Sequence, residues 1–313
     1  MNDLIVFTHQ DCLLKFNGYN HPESPNRLKA VNDGIKELNF KNISVNESTN
    51  PKLEIIYNVH PKEYIDYIFK KIPNVGLINL EKEPHSDTLL CPDSKDAILK
   101  SCGSGLNAAD IMMQNKYSKF FCSIRPPGHH AEKNRANGFC FINNIAVTAR
   151  YLRDYYSIDK IAIVDFDVHH CNGTQEIFYN DKNVFCASIH ESPLFPGTGN
   201  EDEKGVGNIF NVPILAGTDS KNFIEIFKKR IINNLDKFKP EIILISAGFD
   251  AHKRDPLANI NLESEDYYEI TKYIVDISNI HSNGRIISFL EGGYDLVALK
   301  EGVQNHINAL VDN

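Results

Sequence analysis

Asp165, Asp167 and His169 occupy alternate positions in the stretch IAIVDFDVHHCNGTQ, which runs from Ile161 to Gln175. Alternate side chains of a strand share a face, and an Asp two residues from a His can hold one metal ion between them. One carboxylate and one imidazole do not complete a catalytic site. Three further apolar runs end in the same kind of polar burst: FFCSIRPPGHH (Phe120 to His130), IILISAGFD (Ile242 to Asp250) and IISFLEGGYD (Ile286 to Asp295). Asp167, His169 and Asp250 together make a set of two carboxylates and one imidazole that leaves a position open for water on Zn²⁺ or a similar divalent ion. Two other readings use the same residues: structural acids paired with lysines, or a Mg²⁺ site for phosphate chemistry. The second ordinarily brings a glycine-rich phosphate loop or several basic residues, and neither accompanies these strands.

Activated water needs a base. His129 and His130 are the candidates, and different partners, such as Asp165 for one and Asn172 for the other, would set their pKa values apart. Tyr294, between Gly293 and Asp295, offers a phenolic O–H to an oxyanion developing opposite the metal. No serine or cysteine nucleophile with its base is evident. The set describes metal-assisted hydrolysis of an amide or ester.

These residues need a frame that delivers them to one place. The runs at Leu4–Thr8, Phe120–Ile124, Ile161 onward, Val184–Ile189, Glu241–Gly248 and Arg285–Leu290 read as strands, with a short one near Ile43 and Val45. Between them lie helical patterns. Ser24 and Pro25 open a helix with Leu28, Val31, Ile35 and Leu38 at helical spacing. Further helices are expected at Lys62–Lys71, Ser94–Met113, Ile145–Tyr155, Asp219–Leu235, Ser264–Ile280 and from Leu296 onward. The long loop from Pro73 to Asp93 carries Asp87, and a Gly/Pro loop after His190 carries Phe195. Strands alternating with helices imply an α/β chain with a central parallel sheet covered on both faces, and such sheets bind ligands beyond the carboxyl ends of their strands.

The 313 residues, 42% hydrophobic and 24% charged, suit one ordinary globular catalytic domain over residues 1–313. The formal net charge of -8 and the scattered Lys and Arg residues leave no basic face for nucleic acid. Seven cysteines, an odd number without a C-x-x-C pair, fit a reducing compartment. There is no leader pattern and no apolar run of about 18 residues, so the expectation is a soluble cytoplasmic chain without a membrane partner.

From HPESPNRL through RPPGHHA, GFCFINN, DFDVHHCNGTQ, SIHESPLFPGTG and SAGFDAHKRDPL to LEGGYD, the chain resembles the histone deacetylases and their bacterial relatives, which include acetylpolyamine amidohydrolases and acetoin-utilisation proteins. The resemblance covers nearly the whole chain and implies the arginase/deacetylase fold with a narrow tunnel leading to a metal. It implies Asp167, His169 and Asp250 as ligands of Zn²⁺, with Fe²⁺ as the alternative. His130 would be general base and acid, with His129 as electrostatic partner and Asp165 and Asn172 orienting the pair. Phe139 and Phe195 would wall the tunnel, and the Gly138 carbonyl would accept from the substrate amide. Tyr294 would polarise the scissile carbonyl, and Asp87 at the rim would grip the substrate backbone. Main-chain oxygens of Asp165, Asp167, His169, Ser188 and Ile189 would hold a structural K⁺.

Cys171 departs from the motif, which most often has glycine there, and puts a thiol near the site with altered local backbone geometry and redox sensitivity as expectations. Asn172 resembles the second eukaryotic class and most bacterial members. Tyr294 is the residue of active members. Leu257 stands where relatives that prefer acetylpolyamines place a carboxylate, which points to acyl-lysine in a protein or peptide. An acetylated small amine is the alternative substrate, and an inactive module that only binds acyl-lysine is a weaker one.

Overall fold

In the computed structural model, residues 4–40, 42–80, 87–114 and 118–312 are described, so part of the loop expected at 73–93, residues 81–86, lies outside the described residues. The strands are β1 (Leu4–Thr8), β2 (Ile43–Glu47), β3 (Ile78–Asn79), β4 (Leu89–Leu90), β5 (Lys119–Cys122), β6 (Ile161–Asp165), β7 (Val184–Glu191), β8 (Ile209–Ile214), β9 (Ile242–Ala247) and β10 (Ile286–Leu290). Eight of them form one sheet in the order β2-β1-β5-β10-β9-β6-β7-β8, and every pairing in it is parallel. β3 and β4 make a separate antiparallel pair within what reads from sequence as loop.

Period-two alternation divides each central strand between two cores. On β6, Ile161 and Ile163 join Phe120, Leu244 and Ile287 under the helices Ser94–Met113 and Asn144–Tyr156. Ala162 and Val164 face the opposite way, towards Leu28, Ile274 and Ile307 on the helices Pro25–Glu37, Asp266–His281 and Leu296–Val311. Strands buried on both faces need continuous apolar runs, which is how they read. Close packing is tightest along Ser94–Met113, where a Cβ at Gly103 would lie 1.7 Å from Thr49 O and one at Gly105 2.1 Å from Thr148 Oγ1.

Two departures from the sequence reading have local causes. β8 was not expected, because Pro213 and the polar Asn211 interrupt its apolar run; it is an edge strand, where a proline costs no ladder bond that matters. The single helix expected at Asp219–Leu235 is helical over Ser220–Phe227, takes a π-helical turn at Lys228–Ile232 and resumes at Asn233–Phe238. Asp219 caps its first turn by accepting from Asn222 N at 2.9 Å.

A candidate metal centre at the carboxyl edge of the sheet

β5, β10, β9 and β6 are consecutive in the sheet, and being parallel they discharge their following loops at one edge. Those loops carry His129 and His130, Tyr294, Asp250, and Asp167 with His169, respectively. Asp167, His169 and Asp250 are buried, and one ligand-type atom from each lies within 4.8 Å of the others. His169 Nδ1 is 3.1 Å from both Asp167 Oδ1 and Asp250 Oδ2. A single ring N–H shared between two carboxylates makes only a weak bifurcated bond to each, whereas a cation among the three atoms satisfies them all. Burial, and then the charge of Asp167, raise the Asp250 carboxyl, so two carboxylates in this pocket are costly without such a cation.

The remaining oxygens are fixed by main-chain donors. Asp167 Oδ2 accepts from Gly292 N at 2.8 Å, and Asp250 Oδ1 accepts from Val168 N at 2.9 Å. The glycines flanking the pair are there for space: a Cβ at Gly292 would sit 2.1 Å from Asp250 Oδ2, and one at Gly248 would sit 2.2 Å from Asp167 Oδ2. The donor set, its convergence and this cradle fit a divalent ion.

The two histidines lie side by side, ring centroids 3.9 Å apart, in different electrostatic settings. His129 Nδ1 is 2.9 Å from Asp165 Oδ2. Burial works against charge on His129, but Asp165, Asp167 and Glu291 outweigh it and push its pKa up to about 10. His130 Nδ1 is 2.8 Å from Asn172 Oδ1. The orientation of that amide follows from its other end, where Asn172 Nδ2 donates to Glu132 Oε1 at 2.8 Å. His130 therefore donates from Nδ1 and keeps Nε2 as a bare acceptor. Burial, with the charges of His129 and His169, holds its pKa well below 6.5.

A cavity of about 280 Å³ lies at this edge, lined by His130, His169 and Tyr294. Gly138, Phe139 and Phe195 wall it, and Asp87 and Leu257 stand with them in the lining. All the residues expected to meet substrate are thus brought together. Gly138 and Phe139 both have positive φ, +52° and +68°, and a Cβ at Gly138 would meet the His130 ring at 2.4 Å. The Gly138 carbonyl already accepts from the Cys140 thiol at 3.3 Å. Burial raises the Tyr294 phenol well above 10, which keeps its proton on as a donor. A larger surface groove of about 630 Å³ beside Ser220 and Asp266 has no such ligand set among the described residues.

Of the backbone positions expected to hold K⁺, Asp165 pairs in register with Ser188 on the adjacent strand and Ile189 follows Ser188, whereas Asp167 and His169 lie in the loop after β6. Cys171 is not an exposed thiol: it is buried, and burial raises its pKa well above 9, which disfavours the reactive thiolate.

Sequence reasoning missed several supports. His21 packs edge-on against Phe139 at 4.9 Å and lies 3.3 Å from Asp87 Oδ2. Pro22 and Leu194 line the cavity. Glu132 fixes Asn172, and buried Glu291 accepts from Gly128 N at 2.8 Å. Arg27 stacks on Tyr294 at 4.9 Å. Glu23 and Arg27 stand in the HPESPNRL segment, but their pairing with each other and of Glu23 with Arg125 is seen only in the folded chain.

Residues 21–310 match the model of the histone deacetylase domain. The chain is 34% identical over 299 residues to a probable deacetylase of Archaeoglobus fulgidus, covering 93% of this chain and 81% of that protein. It is 32% identical to a histone deacetylase-like amidohydrolase of Pseudomonas aeruginosa, covering 87% of this chain and 71% of that one. Among solved structures, the HDA15 HD domain superposes with a TM-score of 0.91 at 30% identity, covering 99% of this chain and 88% of that one.

Proposed function

The chain belongs to the histone deacetylase family, a family of hydrolytic enzymes, and from that premise we propose that it hydrolyses the amide of N-acyl-lysine in a protein or peptide. The observation that carries this reading is the cavity itself, in which the aromatic Phe139 and Phe195 share a lining with Tyr294 and the buried His130 and His169. A straight aliphatic chain bearing an amide at its end is the ligand such a cavity suits.

Zn²⁺ or Fe²⁺ held by Asp167, His169 and Asp250 supplies, when bound, activation of water and polarisation of a carbonyl. His130 takes the proton of the attacking water on Nε2, its Nδ1–H being committed to Asn172, and returns it to the departing amine. His129, kept protonated by Asp165, stabilises negative charge developing beside it. Tyr294 donates its phenolic proton in a hydrogen bond to the oxyanion. Asp87 grips the substrate backbone at the rim, and the main-chain oxygens of Asp165, Asp167, His169, Ser188 and Ile189 hold a K⁺ that braces the strand ends.

Apolar Leu257 in the cavity lining favours acyl-lysine over an acetylated polyamine, since it offers no partner to a second ammonium. A cytoplasmic setting is supported by seven free, buried cysteines, and no described helix is long and apolar enough to cross a membrane. The test is kcat/KM for an acetyl-lysine peptide against acetylspermidine at one salt concentration. The peptide is expected to win; preference for the polyamine overturns the protein-deacylase reading in favour of the small-amine one, and inactivity on both with metal bound favours the binding module.

A further inference from the structure

The loop that carries Tyr294 begins Gly292-Gly293, with Gly293 at φ +117°, so its chain direction is not set by local sterics. Besides a main-chain bond from Phe249 N to Gly292 O at 3.0 Å, three side-chain ties to the rest of the molecule set it. Gly292 N donates to Asp167 Oδ2 at 2.8 Å, and Gly293 O accepts from Arg27 Nε at 2.6 Å. The third tie is on Tyr294 itself, whose N–H donates to Asp255 Oδ2 at 2.7 Å.

Asp255 is buried, and its other oxygen is also engaged, accepting from Leu257 N at 3.0 Å. One carboxylate therefore anchors two loops that are 39 residues apart at the point of contact and that line the same cavity. The local bond to Leu257 is an ordinary Asx turn across Pro256. The reach to Tyr294 is not local and has no part in forming that turn.

We propose that Asp255 is a positioning residue, which acts through Tyr294 by fixing the backbone from which the phenol is aimed and which registers that phenol to the Leu257 side of the cavity. The inference rests on the reading of Tyr294 as oxyanion donor. An amide in place of the carboxylate keeps the size of the side chain but offers one acceptor oxygen where two N–H groups now bond, so one tie is lost. A shift of the donor by about 1 Å costs on the order of 10²-fold in rate. Asp255→Asn is accordingly expected to lower kcat by about 10- to 100-fold with KM little changed and with metal content retained.

A double-mutant cycle separates positioning from general support of the fold. Asp255→Asn, Tyr294→Phe and the double variant are compared by kcat on an acetyl-lysine peptide, with metal content and thermal unfolding recorded for each. If Asp255 acts through the phenol, its substitution costs little once the phenol is gone, and the two effects fail to add. Additive losses, or normal kcat in Asp255→Asn, overturn the proposal. Should the Asn variant not fold with metal bound, the same cycle is run with Asp255→Glu, which keeps two acceptor oxygens but displaces them. Normal turnover in Tyr294→Phe is a different failure, that of the oxyanion-donor reading itself.

Discussion

Two regions of this molecule bury several charges each, and they balance them in opposite ways. Around Glu23 one carboxylate meets Arg125, Arg27 and Lys15. The surplus positive charge is absorbed by main-chain oxygens: Arg125 Nη1 donates to Cys12 O at 2.7 Å, and Arg27 Nη2 donates to Glu291 O at 2.5 Å. Around Asp250, by contrast, two carboxylates converge on the His169 imidazole, with His129 3.9 Å from Asp167 and already paired with Asp165, and among the described residues no Lys or Arg joins these ion pairs. The first cluster closes on itself and acts as scaffold, tying the segment before the Pro25–Glu37 helix to the turn after β5 and, through Arg27, to the Tyr294 loop. The second is left short of positive charge and is completed by something from outside. Burial alone does not separate the two; the sign of the unbalanced charge does.

The strongest way to break the comparison is to withdraw the outside partner. Stripping the metal is expected to abolish amide hydrolysis while leaving a cooperatively folded chain, because both cores are built of apolar side chains and none of the three ligands belongs to either. Elemental analysis beside thermal unfolding checks this; full activity in protein free of Zn and Fe would remove the metal reading. Glu23→Gln should do the converse. Breaking one member of a buried charge cluster typically costs about 3–5 kcal/mol, so denaturant titration should show a large loss of stability, with metal still bound in the folded fraction. If stability were unchanged, the cluster would not be scaffold.

Tyr294→Phe comes next. Loss of one oxyanion donor costs about 10²- to 10³-fold in kcat, with unfolding and metal content near those of the parent. Near-normal turnover would show the phenol to be packing only.

Acid gives a graded version of the Glu23 experiment. Burial by itself would raise the Glu23 carboxyl, but Arg125, Lys15 and Arg27 outweigh it and hold its pKa well below 4.5. A depressed carboxylate contributes stability that is complete above its unfolded value and drains away as pH falls towards the folded one. Stability should therefore decline below about pH 4.5, by at most about 1.4 kcal/mol per pH unit from this group. Glu23→Gln should flatten that slope, and an unflattened one would assign the acid sensitivity to other carboxylates.

The smallest effect belongs to the cavity mouth. Leu257→Glu should shift kcat/KM towards acetylspermidine by the equivalent of only about 0–1 kcal/mol, since a partly exposed ion pair is screened. An unchanged ratio would move specificity elsewhere in the lining, to Asp87.

What the amino-acid order determined by itself is local. The apolar runs at Ile161–Val164, Ile242–Ile245 and Ile286–Ile287 demand strands buried on both faces, and the polar residues at their ends mark where chemistry can be delivered. The same reasoning singled out Asp167, His169, Asp250 and Tyr294, each within four residues of a strand end, and the histidine pair seven and eight residues beyond β5. It missed β8, where Pro213 masks an edge strand, and it saw Asp87 only through the family resemblance, since a loop carboxylate has no periodicity to betray it. The strand order that makes β5, β10, β9 and β6 neighbours is a tertiary decision. So are the ties from Glu23 to Arg125, from Glu132 to Asn172 and from Asp255 to Tyr294, 102, 40 and 39 residues apart. Periodicity records which face of an element is buried but not what it is buried against, and a side-chain hydrogen bond across such a separation has no counterpart in the spacing of residues along the chain.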